Sequence, residues 1–158
     1  MVYAVEFNKY PTDDAYQKAK EAIMRQVQLT DEEVLSIDNN HYCETKDQGS
    51  FLNSGKKLAE IYCQKKDDFA LSNLIGGALR FEFDKNGWTI IKDWAEHAVQ
   101  FKDNALNNAT LAMVYKKLKN KEMALSFIDK ALSNCKRDNE TYGERIELFK
   151  EIENANYN

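Results

Sequence analysis

Two histidines and three cysteines are the side chains best suited to metal or nucleophilic chemistry: His41, His97, Cys43, Cys63 and Cys135. A structural zinc site takes four ligands, usually as two close pairs. His41-x-Cys43 with Cys63 supplies three ligands and one pair, so no metal is expected. No Cys-x-x-Cys is present, which removes the dithiol redox motif. A Cys/His nucleophilic pair would have to be assembled across the fold, and no motif supports one. The paired carboxylates Asp13-Asp14, Glu32-Glu33 and Asp67-Asp68 each stand where a helix begins. There they complement the helix macrodipole, which explains them without acid–base catalysis. Gly76-Gly77 follows no strand, so it is not a phosphate loop. Inside a helix each of these glycines costs about 1 kcal/mol against alanine, and close helix packing is the expected reason for them. His97 shares a face with Trp94 and Ala98 and reads as a core or groove-edge histidine. Trp94 reads as core. Trp88, in the first turn after Gly87, fits core and binding surface equally. No catalytic residue and no cofactor are expected.

The basic clusters Lys116-Lys117-x-Lys119-x-Lys121 and Lys65-Lys66 have acids beside them and read as solvated helix ends. Asp and Glu outnumber Lys and Arg by 26 to 22. Phosphate recognition favours arginine, and the chain has only Arg25, Arg80, Arg137 and Arg145. Nucleic acid is therefore not an expected partner. Of 158 residues, 43% are hydrophobic and 30% charged, and only 6 are Gly and 1 is Pro. That composition fits one globular domain rich in helix and poor in tight turns. No run of about 18 apolar residues offers a membrane span. The start Met1-Val2-Tyr3-Ala4-Val5-Glu6 meets an acid too early for a secretion signal. If Met1 is the natural start, the cytoplasm is implied; an excised fragment would be compatible with the periplasm. An odd number of thiols suits a reducing compartment, while an oxidising one would allow a Cys43–Cys63 bridge.

The elements follow from caps and stripes. Val2–Phe7 is a short β-prone lead-in closed by Pro11. Thr12-Asp13-Asp14 opens a helix whose stripe is Tyr16, Ala19, Ile23 and Val27. Thr30-x-x-Glu33 is a capping box for a helix carrying Val34, Leu35, Ile37 and His41. Glu44–Ser50 reads as a loop. Phe51, Leu52, Gly55, Leu58, Ala59, Tyr62 and Cys63 form a third stripe. Asp67-Asp68 starts a helix with Phe69, Leu71, Leu74, Ile75, Ala78 and Leu79. Asp84–Gly87 reads as a turn before a helix with Trp88, Ile91, Trp94, Ala95, Ala98 and Val99. Asp103-Asn104 breaks it. Leu111, Ala112, Tyr115 and Leu118 mark the next helix, then Lys119-Asn120-Lys121 turns the chain. Ala124, Ile128, Ala131 and Leu132 mark another. Arg137-Asp138-Asn139 breaks, and Tyr142, Ile146, Phe149 and Ile152 form the last stripe. The expected fold is all-α with about eight helices, antiparallel neighbours being joined by short loops.

A shift of 34 residues carries Ala78 to Ala112, Phe81 to Tyr115, Trp94 to Ile128 and Ala98 to Leu132. The clearest copy reads Leu111-Ala112-x-x-Tyr115, then Ala124-x-x-x-Ile128-x-x-Ala131-Leu132. This pattern resembles the tetratricopeptide repeat. Ala112 stands for the usual Gly, Ile128 for Phe, Lys136 for Pro and Asn108 for Trp. Upstream, Gly77-Ala78-x-x-Phe81 fits, while Ile90 and His97 replace small residues. The final copy offers only its first helix, as a capping helix would. The resemblance covers about residues 70–153. It implies helix pairs in a right-handed superhelix over 67–158, with a less regular lead-in and helices over 1–66 in one continuous domain. A second likeness joins Trp94-Ala95-x-x-Ala98-Val99, Asp103-Asn104-x-x-Asn107 and Ala112-x-x-Tyr115-Lys116-Lys117-Leu118. That run is similar to the helical region beside the thioredoxin fold in some bacterial thioredoxin-like proteins.

By the tetratricopeptide resemblance, the first helix of each pair lines a concave groove that binds a peptide or a helix. Its position-by-position candidates are Ile75, Leu79 and Phe83, then Leu106, Ala109, Met113, Lys116 and Lys117. The face is apolar with a basic rim. Chaperone-binding members clamp a terminal carboxylate with Lys and Asn; Ala109 and Met113 stand at those places here, which disfavours that mode. The expected function is a non-catalytic protein–protein interaction module. The alternatives are a helical accessory part of a thioredoxin-like oxidoreductase and a structural domain that packs on a second copy as a homodimer.

Overall fold

The structure is a computed structural model that describes residues 13–138 and 143–154. The lead-in Val2–Phe7, Pro11, Thr12, Asn139 and Tyr142 lie outside the described residues, as do the side chains of Ile146 and Phe149. Every regular element among the described residues is an α-helix: α1 Asp13–Gln26, α2 Asp31–Thr45, α3 Gln48–Lys65, α4 Asp68–Ala78, α5 Lys85–Phe101, α6 Ala105–Lys117, α7 Lys121–Asp138 and α8 Gly143–Asn154. The all-α class is as expected. None of these helices is long and apolar enough to cross a membrane. The chain divides into two compact units, Met1–Ile61 and Tyr62–Asn158, and the boundary falls within α3.

In the first unit the capping box is formed. Thr30 Oγ1 accepts from the Glu33 backbone N–H, and the Glu33 carboxylate accepts from the Thr30 backbone N–H. The Thr30 backbone N–H, and then the Thr30 hydroxyl that also donates to this carboxylate, hold the Glu33 carboxyl below its usual range. The expected loop at Glu44–Ser50 shrinks to Lys46 and Asp47. Lys46 takes a left-handed conformation at φ 59° and its N–H bonds Tyr42 O. Asp47 Oδ1 then accepts from Ser50 N at 3.0 Å and caps α3. Polar residues long enough to read as a loop are thus two helix ends meeting at a two-residue joint. Inside this unit Tyr16 is fully buried and its ring lies flat on His41, with centroids 3.7 Å apart and planes 4° apart. Tyr16 Oη donates to Asp38 Oδ1 at 2.5 Å, and Lys20 Nζ reaches both Asp38 oxygens at 2.6 and 2.8 Å. Buried Asn39 donates to Phe51 O and Ser54 Oγ, both at 2.9 Å, and so ties α2 to α3.

In the second unit the starts of α4, α5, α6 and α7 are each capped by an Asp or Asn side chain. Asp67 accepts from Ala70 N, Asp84 from Gly87 N, Asn104 from Asn107 N and Asn120 from Met123 N. Such caps satisfy backbone donors that the helix leaves open. Asp84 is therefore the cap of α5, and the expected turn Asp84–Gly87 is already that helix's first turn. The tight turn at Lys119 is present, with φ 58°. Each helix packs on the next from α4 to α8, and α6 also touches α4 and α8. Small side chains occupy the crossings: Ala78, Ala105, Ala112, Ala124 and Ala131 are fully buried, and Ala98 nearly so. There the backbones come close enough for ridges to enter grooves, which bulkier residues would prevent. Leu71, Ile75, Ile91, Leu111, Val114 and Ile128 fill the space between.

Candidate functional site

The starts of α4 and α6 are joined by a polar knot around Asn107, which is fully buried. Asn107 Nδ2 donates to Asp68 Oδ2 at 3.0 Å, Lys102 O at 2.8 Å and Ala98 O at 3.1 Å. Its Oδ1 accepts from Ser72 Oγ at 2.6 Å. One amide thus fastens the first two turns of α4, the end of α5 and the first turn of α6. Asn104 Nδ2 adds a 3.4 Å bond to Asp68 Oδ2. A second knot lies beside it. Asp103 Oδ1 accepts from Asn108 Nδ2 at 2.6 Å and from Asn134 Nδ2 at 2.9 Å, and Asp103 O accepts from Arg137. The amides of Asn108 and Asn134 hold the Asp103 carboxyl below its usual range. Asn108 is fully buried, and its Oδ1 is the one buried side-chain polar atom among the described residues without a hydrogen-bond partner.

These knots position the row of first helices, α4 and α6, that the sequence offers as a groove. Leu79 and Met113, 34 residues apart, are both half-buried, and Leu106 is 41% exposed. Lys116 and Lys117 are half-buried and each reaches a carboxylate on a neighbouring element. Lys116 Nζ lies 2.9 Å from Glu151 on α8, and Lys117 Nζ lies 2.6 Å from Glu82 in the turn after α4. Lys117 also sits over the Trp88 ring, 5.5 Å from its centroid. The basic rim is therefore already paired.

Three of the eight candidates belong to the interior instead. Ile75 is fully buried, and Phe83 and Ala109 are nearly so. Phe83 is held in an aromatic cluster with Phe81 and Trp88, each ring centroid 5.4 Å from its own. Gly87 lets α5 start against it: a Cβ at Gly87 would lie 2.8 Å from Phe83 Cβ. Trp88 is core, 3% exposed. His97 is not a core residue. It is exposed, and its ring stacks on Phe101 at 5.8 Å, because Trp94, Ala95 and Ala98 take the inner face of α5. Gly76 departs from expectation. It is exposed, and a Cβ there would meet nothing within 4 Å, so close packing among the described residues is not its reason.

Tyr115, at the aromatic position of the repeat, donates to Glu96 Oε1 at 2.8 Å and stacks on Phe127. Burial, then the hydrogen bond to Glu96, pushes its hydroxyl up to about 12. None of the three cysteines is joined in a disulfide; Cys43 and Cys135 are buried, and partial burial raises the Cys63 thiol. Among the described residues no group of three or more His, Cys, Asp or Glu side chains is arranged to hold a metal ion.

Four of the bonds that join one helix pair to the next fall at nearly the same separation, while Asp103–Asn134, Lys121–Glu153 and Asp68–Asn107 span 31, 32 and 39 residues. Ser72–Asn107, Glu82–Lys117 and Lys116–Glu151 are each 35 residues apart, and Asp103–Arg137 is 34 apart. Set against protein-family models, curated proteins and solved structures, the chain finds no match in any of the three.

Proposed function

We propose that this chain is a non-catalytic protein–protein interaction module of tetratricopeptide type, with the row of α4 and α6 receiving a peptide or a helix. The observation that carries this reading is the set of inter-element bonds 34 and 35 residues apart. They are what stacked copies of one helix pair would make, and they agree with the 34-residue shift in the sequence. Stacked first helices offer a continuous apolar line suited to a helix or an extended peptide. Here that line consists of Leu79, Leu106 and Met113, with Lys116 and Lys117 at its rim.

The test is selection of displayed peptides on the purified full chain, followed by binding measurements on the variant Leu79→Glu with Met113→Glu. Neither residue is fully buried, so helical circular dichroism and a cooperative melt are expected to persist. Peptides selected on the parent are expected to lose binding to the folded variant. Enrichment of no peptide, or equal binding by parent and variant, would refute the assignment.

A further inference from the structure

One helix face is exposed among the described residues. On α4 it carries Phe69, Asn73 and Gly76, and Arg80 follows in the turn that continues the helix; all four are exposed. Their spacing of four, three and four residues sets them along one line of the helix. Phe69 is 63% exposed, more than any other large hydrophobic side chain among the described residues. Glycine weakens a helix interior, yet at Gly76 the packing of the described residues asks for no small residue, since an added Cβ would meet none of them within 4 Å. A bare stretch of backbone beside an exposed aromatic ring is a surface that another helix can approach closely.

The line is complementary to itself. Positions 69 and 80 are equally far from its centre, and so are 73 and 76. On an antiparallel copy, Phe69 meets Arg80 of the second copy and Asn73 meets Gly76 of the second copy. Each contact then occurs twice, as a two-fold interface requires. A guanidinium over an aromatic face is a favourable contact. At the Phe69 end, Asp67 and Asp68 offset Lys65 and Lys66, so no net positive charge repels the incoming Arg80.

We propose that two copies of this chain associate through an antiparallel α4–α4 contact. The proposal goes beyond the peptide-binding reading and does not rest on it, because it uses Phe69, Asn73, Gly76 and Arg80 rather than Leu79 and Met113. A contact built on one 11-residue helix buries less than stable dimers do, so the association is weak and grows with concentration.

Sedimentation equilibrium of the full chain, from about 1 µM to about 1 mM, tests it over the range where weak pairs form. The parent mass is expected to rise from one chain toward two. Phe69→Lys faces Arg80 with a like charge and is expected to remain a monomer throughout. Gly76→Leu wedges the crossing and is expected to do the same, with helical circular dichroism unchanged. Phe69→Lys combined with Arg80→Glu restores opposite charges across the axis and is expected to recover association. A parent that stays a single chain at every concentration overturns the proposal. So does a mass growing past two chains, association of both single variants at the parent's level, or failure of the double variant to recover. Peptide binding is measured at low concentration, where the chain is monomeric, so either reading can fail without the other.

Discussion

Replacing Asn107 with alanine tests whether the polar knot holds the second unit together. The side chain has four hydrogen-bond partners: Ser72 donates to its oxygen, and its two amide hydrogens are shared among Asp68, Ala98 O and Lys102 O. A hydrogen bond contributes about 1 kcal/mol net, and a buried partner left unsatisfied costs about 1–3 kcal/mol. Asp68 and Lys102 O lie near the surface and can regain water. Ser72 Oγ and Ala98 O are bonded to Asn107 out of contact with solvent. Alanine returns about 0.5 kcal/mol through its higher helix propensity. The expected loss is therefore about 3–4 kcal/mol. Ser72→Ala alone removes one bond and is expected to cost about 1 kcal/mol. In the double variant the two costs should fall short of additivity by about 1 kcal/mol, the part they share. Trp88 and Trp94 both lie in the second unit, and the chain has no other tryptophan. Indole fluorescence during urea unfolding thus reports that unit alone, and a shift of the midpoint by roughly 1–3 M is expected from ordinary slopes. Exposed Asn73→Ala is the control and should stay within about 0.5 kcal/mol. A cost for Asn107→Ala no larger than the control's would refute the reasoning.

Ala124 is fully buried at the start of α7, so Ala124→Leu is expected to destabilise by about 1–3 kcal/mol through overpacking; an unchanged denaturation midpoint would contradict the alignment of small residues with helix crossings. The glycines should respond with opposite signs: Gly87→Ala drives a Cβ to 2.8 Å from Phe83 Cβ and should lower the melting temperature, whereas Gly76→Ala meets open space and should stabilise by about 0.5–1 kcal/mol. The Asp103 carboxyl is depressed by its Asn108 and Asn134 bonds, so its contribution is complete above the ordinary value of 3.8 and is lost as pH falls through the lower folded value. Acid titrations followed by circular dichroism should show a shallower loss of stability below that pH in Asp103→Asn than in the parent, and coincident slopes would count against the bonds.

The starts of helices were legible because their signals are local. Thr30 with Glu33 and Asp67 announce helix starts by residue type, and each caps its helix, while Asn104, which reads only as a break, is also a cap. The stripe from Phe51 to Tyr62 was legible because α3 has one buried side. Helix α6 was harder to read. Neighbours α4, α5, α7 and α8 all pack on it, so Asn107, Asn108, Thr110 and Val114 are buried on different sides and no single stripe stands out. Buried asparagines look like a solvated face in sequence. Only the unusual run Asn104, Asn107 and Asn108 hinted otherwise, together with an amide where the repeat has tryptophan. The loop at Glu44–Ser50 was overestimated because polarity does not distinguish a loop from an exposed helix end. His41 was placed on the stripe of its helix, but its partner was not readable, since Tyr16 lies 25 positions earlier.

Chemical-shift mapping by amide NMR tests the central claim most directly. A peptide selected on the parent chain is titrated into labelled full-length protein at a concentration low enough to keep it monomeric. The account predicts that the amides around Leu79, Leu106, Met113, Lys116 and Lys117 shift together and saturate with one dissociation constant, while those of the first unit stay in place. Shifts confined to α1–α3, or to the outer sides of α5 and α7 with the α4–α6 row unmoved, would contradict it.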